Sequence, residues 1–225
     1  MPDYPKLTVI PLNCGQLQME RKHFSGKSTD LILKLPVFCF LIVHPQGCLL
    51  FDTGLPAELW SGRSSMELTP GMIATRGSSA GLVREIEGQG YSLKDISIIV
   101  NSHTHLDHAG GNNLVPGARC YVQEEKDIKE DDDVLEDGSI RLLATPGHSA
   151  DHQSMLVRGR NRQVLLTGDA CFRPANLIHL IPPLILENRE QALHYLERLR
   201  AISKASGTVV LTSHDPLATG EKIVL

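Results

Sequence analysis

Basic clusters, long apolar runs and paired cysteines are all missing from this 225-residue chain, and each absence removes a class of function. The net charge is -4, with no basic stripe, so the clustered phosphate contacts of a nucleic-acid binder are not available. No apolar stretch approaches the ~18 to 20 residues of a membrane-spanning helix, and no span is expected. The five cysteines, Cys14, Cys39, Cys48, Cys120 and Cys171, are odd in number, scattered and without a CxxC pair. They read as reduced thiols; residues 1–6 show no apolar signal region, and the expected compartment is the cytoplasm. There is no dinucleotide fingerprint.

What is present is an ordinary globular composition, 41% hydrophobic and 21% charged, long enough to bury a substantial core. One domain over residues 1–225 is expected, of the α/β (α+β) class. Residues 7–10, 37–43, 48–51, 96–100, 120–122, 140–144, 154–157, 163–167 and 208–212 read as strands, with hairpins across 44–47 and 159–161. Residues 82–87 and 190–202 have helical spacing, the second with Ala192, Leu193, Leu196, Leu199 and Ile202 on one face. Residues 15–35 read as a long polar loop, 56–80 as a short helix plus a lid, and the acidic run 129–133 as a solvated loop.

The stretch His103-Thr104-His105-Leu106-Asp107-His108 stands out. It lies between the apolar run 96–100 and the turn-forming Ala109-Gly110-Gly111-Asn112, at the end of a strand. His103 and His105 alternate as in extended chain and point the same way, whereas the adjacent Asp107 and His108 diverge. The stretch can supply two ligands to one metal ion and two to a neighbour. A lone histidine at a strand end is usually structural. Three with an aspartate at this spacing are costly to bury unless a metal satisfies them together.

Three more strand ends carry a ligand type: His148 after 140–144, Asp169 after 163–167 and His214 after 208–212. Singly, Asp169 reads as a helix cap and His214 as a turn residue. Jointly they bring the total to five imidazoles and two carboxylates, the complement of two metal ions sharing a carboxylate. Asp52, in Phe51-Asp52-Thr53-Gly54, is either an ordinary turn residue or a partner that orients a metal-bound imidazole. His152 leans toward the same supporting role. Cys171 reads as packing, and His23, His44, His179 and His194 as incidental.

HxHxDH, then Gly147-His148 after a strand, then Asp169, then Ser213-His214 resembles the metallo-β-lactamase superfamily from about residue 7 to 215. The resemblance implies a four-layer αββα sandwich. It implies His103, His105 and His148 on a first metal, Asp107, His108 and His214 on a second, and Asp169 bridging both. Residues 35–41, 51–56, 105–112, 145–149 and 152–154 are similar to the N-acyl-homoserine lactonase branch. That branch has a tyrosine three residues after the bridging aspartate, where this chain has Phe172, and a longer segment between 123 and 140.

The function so implied is a dinuclear metal-dependent hydrolase, a lactonase acting on carboxylic ester bonds. A metal-bridging hydroxide would open the lactone ring of N-acyl-homoserine lactones or a similar lactone. Asp107 and Asp169 would be the catalytic carboxylates, and Zn the first choice of metal ahead of Fe, Co or Mn. The alternative is another hydrolase of the fold acting on a thioester, as in glyoxalase II, or on a phosphodiester; a third reading is a metal-binding member without hydrolytic activity. The substrate is a small molecule with an acyl chain. The apolar segment 177–186, broken by Pro182 and Pro183, reads as core packing, a wall of the acyl pocket or a homodimer surface.

Overall fold

The computed structural model describes residues 4–21, 31–122, 132–218 and 220–225. His23 and residues 129–131 of the acidic run lie outside the described residues. The first sheet follows the order β4 (Ser65–Thr69), β5 (Met72–Thr75), β1 (Thr8–Glu20), β2 (Ile32–His44), β3 (Gly47–Phe51), β6 (Ile96–Val100) and β7 (Arg119–Tyr121), with β13 (Ile223–Val224) also pairing β1. The second follows β12 (Thr208–Leu211), β11 (Gln163–Leu166), β10 (Gln153–Arg158), β9 (Ile140–Ala144) and β8 (Asp132–Asp133). The β3–β6, β6–β7 and β11–β12 pairs are parallel and the others antiparallel. The helices are α1 (Leu82–Gly88), the single-turn α2 (Leu106–Ala109), α3 (Pro174–His179) and α4 (Arg189–Ser203).

The period-2 alternation of side chains assigns the layers. On β2, Phe38, Phe40 and Ile42 pack toward the second sheet with Met155, Val157, Val164 and Leu166. The intervening Cys39 and Leu41 face the opposite way, onto Leu82 and Ile86 of α1. On β10 and β11, Leu156 and Leu165 turn outward onto Leu196 and Leu199 of α4 and Leu177 of α3. The strands are therefore sandwiched on both faces, which makes the fold a four-layer αββα sandwich. No helix among the described residues is long and apolar enough to cross a membrane.

Three local expectations change. β1 runs on to Glu20, so residues 15–20 are strand and not loop; Gln16, Gln18 and Glu20 alternate with the buried Leu17 and Met19, and the polar residues masked this period. A bulge between Asn13 and Gln16 interrupts the alternation. Gly15 sits there at φ 139, where a Cβ would fall 2.2 Å from Leu55 Cδ1. Residues 57–75 form one 3₁₀ turn and the β4–β5 hairpin, which extends the first sheet through β1 instead of a helix with a lid. On α4, Leu196 and Leu199 are fully buried but Leu193 is 38% exposed, because the helix contacts the sheet along a narrower stripe.

The central layer concentrates the packing energy. Phe40 is 1% exposed and its ring centroid lies 6.4 Å from that of Phe51. Phe40→Ala is expected to lower unfolding free energy by about 3–5 kcal/mol in a urea titration; a change under about 1 kcal/mol would show that the sheets do not close on this residue.

Candidate metal centre

The loops that follow four strands, β6, β9, β11 and β12, converge on one point. β6 runs through Asn101 and Ser102 to His103, and His105 caps α2, which presents Asp107 and His108. The loop after β9 carries His148, the 3₁₀ turn after β11 carries Asp169, and the loop after β12 carries His214. All seven residues singled out by sequence come together. Six are buried to 6% exposure or less; His105 is exposed.

Two groups emerge. His103 Nε2 lies 2.9 Å from His105 Nδ1, which lies 3.1 Å from His148 Nε2. His108 Nε2 and His214 Nε2 lie 3.5 and 3.6 Å from Asp107 Oδ2. Asp169 spans both: Oδ2 is 3.5 Å from His148 Nε2, and Oδ1 is 3.3 and 3.1 Å from the Nε2 atoms of His108 and His214. Donor atoms of each of the trios His103–His105–His148, His103–His108–Asp169 and Asp107–His108–His214 lie within 4.8 Å of one another.

The partners on the far side of each ring fix its tautomer. His148 Nδ1 is 2.8 Å from the Ile185 carbonyl and His214 Nδ1 2.8 Å from the Pro36 carbonyl. A carbonyl only accepts, so both Nδ1 atoms carry the proton. His108 Nδ1 donates to Asp52 Oδ2 at 2.8 Å. Ser102 Oγ donates to the same carboxylate at 2.8 Å and so accepts from His103 Nδ1 at 3.0 Å. In their neutral form these four imidazoles thus aim an unprotonated Nε2 inward. His108 Nε2, His214 Nε2 and Asp169 Oδ1 are buried with no hydrogen-bond partner among the described residues. Buried orphan lone pairs converging in two groups fit divalent cations of the Zn, Fe, Co or Mn kind.

The electrostatics agree. Burial, with the His108 and His148 rings nearby, holds His103 well below the ordinary imidazole value. On His108 burial is outweighed by Asp169, Asp107 and Asp52, and the ring is held well above that value; Asp169 likewise raises His214 against its burial. Asp169 itself, although buried, is held well below the usual carboxylate range by His214 and His108. The centre favours positive charge among its carboxylates.

Asp52 holds the His108 ring through its Nδ1. It is fully buried at φ 64 just after β3, and also accepts from Ser102 N at 2.6 Å. His152 holds the other carboxylate: its Nε2 accepts from the backbone N–H groups of Asp169 and Ala170 at 2.9 and 3.2 Å. Gly168 is needed between them, since at φ +52 a Cβ would meet Ser102 Cβ at 2.7 Å and His152 Nε2 at 2.8 Å. Cys171 is buried packing, and His44 is a buried partner of Asp137 far from the centre in sequence. The sequence reading missed Asp151, Thr104 and Ser102, short polar residues without a spacing signal.

The centre forms the floor of a cavity of about 440 Å³. Its wall is apolar: Leu17, Met19, Leu35, Leu68, Met72 and Ile185. Phe172 closes one side, its ring edge-on to those of His214 and His148 at 5.4 and 6.0 Å. Within the apolar segment 177–186, Leu177 is core and Ile185 is cavity wall, while Ile178, Ile181 and Leu184 are exposed.

Asp52→Ala would leave the His108 ring without its acceptor. Metal affinity is expected to fall about 10- to 100-fold in competition with a chromophoric chelator; an unchanged affinity would mean that the ring is oriented by its packing alone.

Comparison with known proteins follows the same line. The profile of the metallo-beta-lactamase superfamily matches residues 33–126. An N-acyl homoserine lactonase from Bacillus cereus is 29% identical over 93% of each chain. A solved N-acyl homoserine lactone hydrolase with N-hexanoyl-L-homoserine at its catalytic metal centre superposes with a TM-score of 0.79 at 26% identity, covering 95% of this chain and 94% of that one. AiiA of B. thuringiensis, solved as a mutant with N-decanoyl-L-homoserine bound, gives 0.80 at 25% identity, covering 95% and 94%. With its sandwich, its cluster of strand-end ligand types and these relatives, the chain is similar to the metallo-β-lactamase superfamily and, within it, to the N-acyl homoserine lactonase branch.

Proposed function

We propose that the chain is a dinuclear metal-dependent lactonase that opens the ring of N-acyl-homoserine lactones or a similar lactone. One observation carries this reading: two trios of donor atoms joined by one carboxylate form the floor of a cavity whose walls are apolar. His103, His105 and His148 would hold one ion, Asp107, His108 and His214 the other, and Asp169 would touch both. When bound, the ions supply Lewis-acid polarisation and a water ionised near neutral pH.

The chain's own groups do the rest. Asp169 is ionised and backed by His152, so its carboxylate can take the proton shed by the attacking water. It returns that proton to the ring oxygen as the acyl C–O bond breaks; the product is a hydroxy acid, whose ionisation releases one proton. Asp107, ionised between His108 and His214, adds negative charge that localises cations on that side. Leu17, Met19, Leu35 and Ile185 exclude water along an acyl chain. Phe172 offers no hydroxyl to the carbonyl oxygen. No Lys or Arg stands among the described residues that line the cavity, which favours a neutral ester over a phosphodiester or an anionic thioester. The bound N-hexanoyl and N-decanoyl homoserines of the solved relatives are products of the same class.

The test is proton release by metal-loaded protein on acyl-homoserine lactones of several chain lengths. Ring opening that improves with acyl length is expected. Two bound metals with no proton release would remove the lactone reading and favour thioesters. His105→Ala and Asp169→Ala are each expected to abolish metal retention and turnover together; normal turnover in either would remove the dinuclear centre. Phe172→Tyr is expected to raise kcat by restoring a donor to the carbonyl, and an unchanged kcat would show that no donor is lacking there.

A further inference from the structure

Among the five inward-facing imidazoles, His105 is the exception. The outer nitrogens of His103, His108, His148 and His214 are held by Ser102, Asp52, the Ile185 carbonyl and the Pro36 carbonyl. His105 presents Nδ1 to its neighbours, and its other ring nitrogen has no hydrogen-bond partner among the described residues. It is also the one solvent-exposed member. Its place therefore depends on the backbone that carries it.

That backbone is gripped at one point. Thr104, between His103 and His105, donates to Asp151 Oδ2 twice, from its N–H at 3.0 Å and its Oγ1 at 2.8 Å. The other oxygen, Asp151 Oδ1, accepts from Ser149 Oγ at 2.5 Å. Asp151 thus joins the His103–His105 segment to the loop that carries His148, and the three rings of the first trio belong to these two segments. On the N-terminal side, Ser102 is already fixed by Asp52 and by Gln153 N, which donates to its carbonyl; beyond His105 the chain enters α2. Thr104 is the exposed point between these anchors.

We propose that Asp151 is the positioning residue of the first metal position: it touches no ligand ring, and through Thr104 it sets the separation of His105 from His148. The proposal rests on the reading of the seven-residue centre as dinuclear. A half-exposed carboxylate that accepts two bonds from one residue is suited to this, since it fixes both the direction and the depth of the peptide between two ligands.

The test titrates metal-free full-length protein with Co²⁺ or Zn²⁺ against a chromophoric chelator, with thermal unfolding of the metal-free protein recorded alongside. Wild type is expected to retain two equivalents. Asp151→Ala is expected to loosen one equivalent about 10- to 100-fold and leave the other within about threefold, with unchanged metal-free Tm. Asp151→Asn keeps an oxygen that can accept from Thr104 and is expected to restore the lost affinity to within about threefold. Unchanged affinities in Asp151→Ala would overturn the proposal. So would equal loosening of both equivalents, or an Asn variant as weak as the Ala variant. A wild type that retains fewer than two equivalents would overturn the dinuclear centre itself, and the proposal with it.

Discussion

Burying ionisable side chains at strand ends is costly unless each polar atom meets a partner, and the centre is organised by that requirement. Each of the clustered imidazoles except His105 is held from behind by an acceptor: Ser102 Oγ, the Asp52 carboxylate, or a backbone carbonyl. These acceptors fix the Nδ1 proton, so that each ring, when neutral, turns its lone pair inward. In that form the inward atoms cannot satisfy one another, because four unprotonated nitrogens and two carboxylates are all acceptors. Cations resolve this where hydrogen bonds between the groups cannot.

The sandwich supplies the acceptors in register. β2 shows the coupling most clearly. Its interior carries the central core through Phe38, Phe40 and Ile42, while at its start Leu35 lines the cavity and the Pro36 carbonyl holds His214. Phe38 N donates to the Ser213 carbonyl, tying the His214 loop of the second sheet to the first. A one-residue slip of β2 would turn its core residues outward and move the His214 acceptor at the same time. Core packing and ligand geometry are thus constrained by the same hydrogen-bond ladder.

Much of this was legible in the sequence, and the residues explain which parts. His103, His105, Asp107 and His108 announce themselves because four ligand types within six residues are hard to explain otherwise, and β6 beside them is strongly apolar. His148, Asp169 and His214 were legible only as a set with them. Asp52 was ambiguous because an aspartate before Thr-Gly suits a turn as well as a buried acceptor; only the fold brings His108 to it. The carbonyls of Pro36 and Ile185 were invisible, since main-chain acceptors leave no mark in the residue pattern. Asp151 and Thr104 were invisible for a related reason: each is a common surface residue, and 47 positions separate them. The far end of β1 was misread because Gln16, Gln18 and Glu20 raised its polarity while Leu17 and Met19 kept the period of a strand buried on one face.

His152 shows why a neutral acceptor suits the space behind Asp169. Burial, with His148 nearby, pushes its pKa down to about 3, so the ring carries no charge in neutral solution. Its Nδ1 proton is directed to Thr145, and its Nε2 receives two backbone N–H groups of the turn that presents Asp169. A carboxylate in the same place would accept those bonds as well. It would also set a second negative charge against Asp169 and raise that carboxyl's proton affinity. A lysine would offer no acceptor at all. An imidazole locked in one neutral tautomer holds the turn without altering the charge of the group it supports, and Gly168 at φ +52 leaves the ring its place, since a Cβ there would fall 2.8 Å from His152 Nε2.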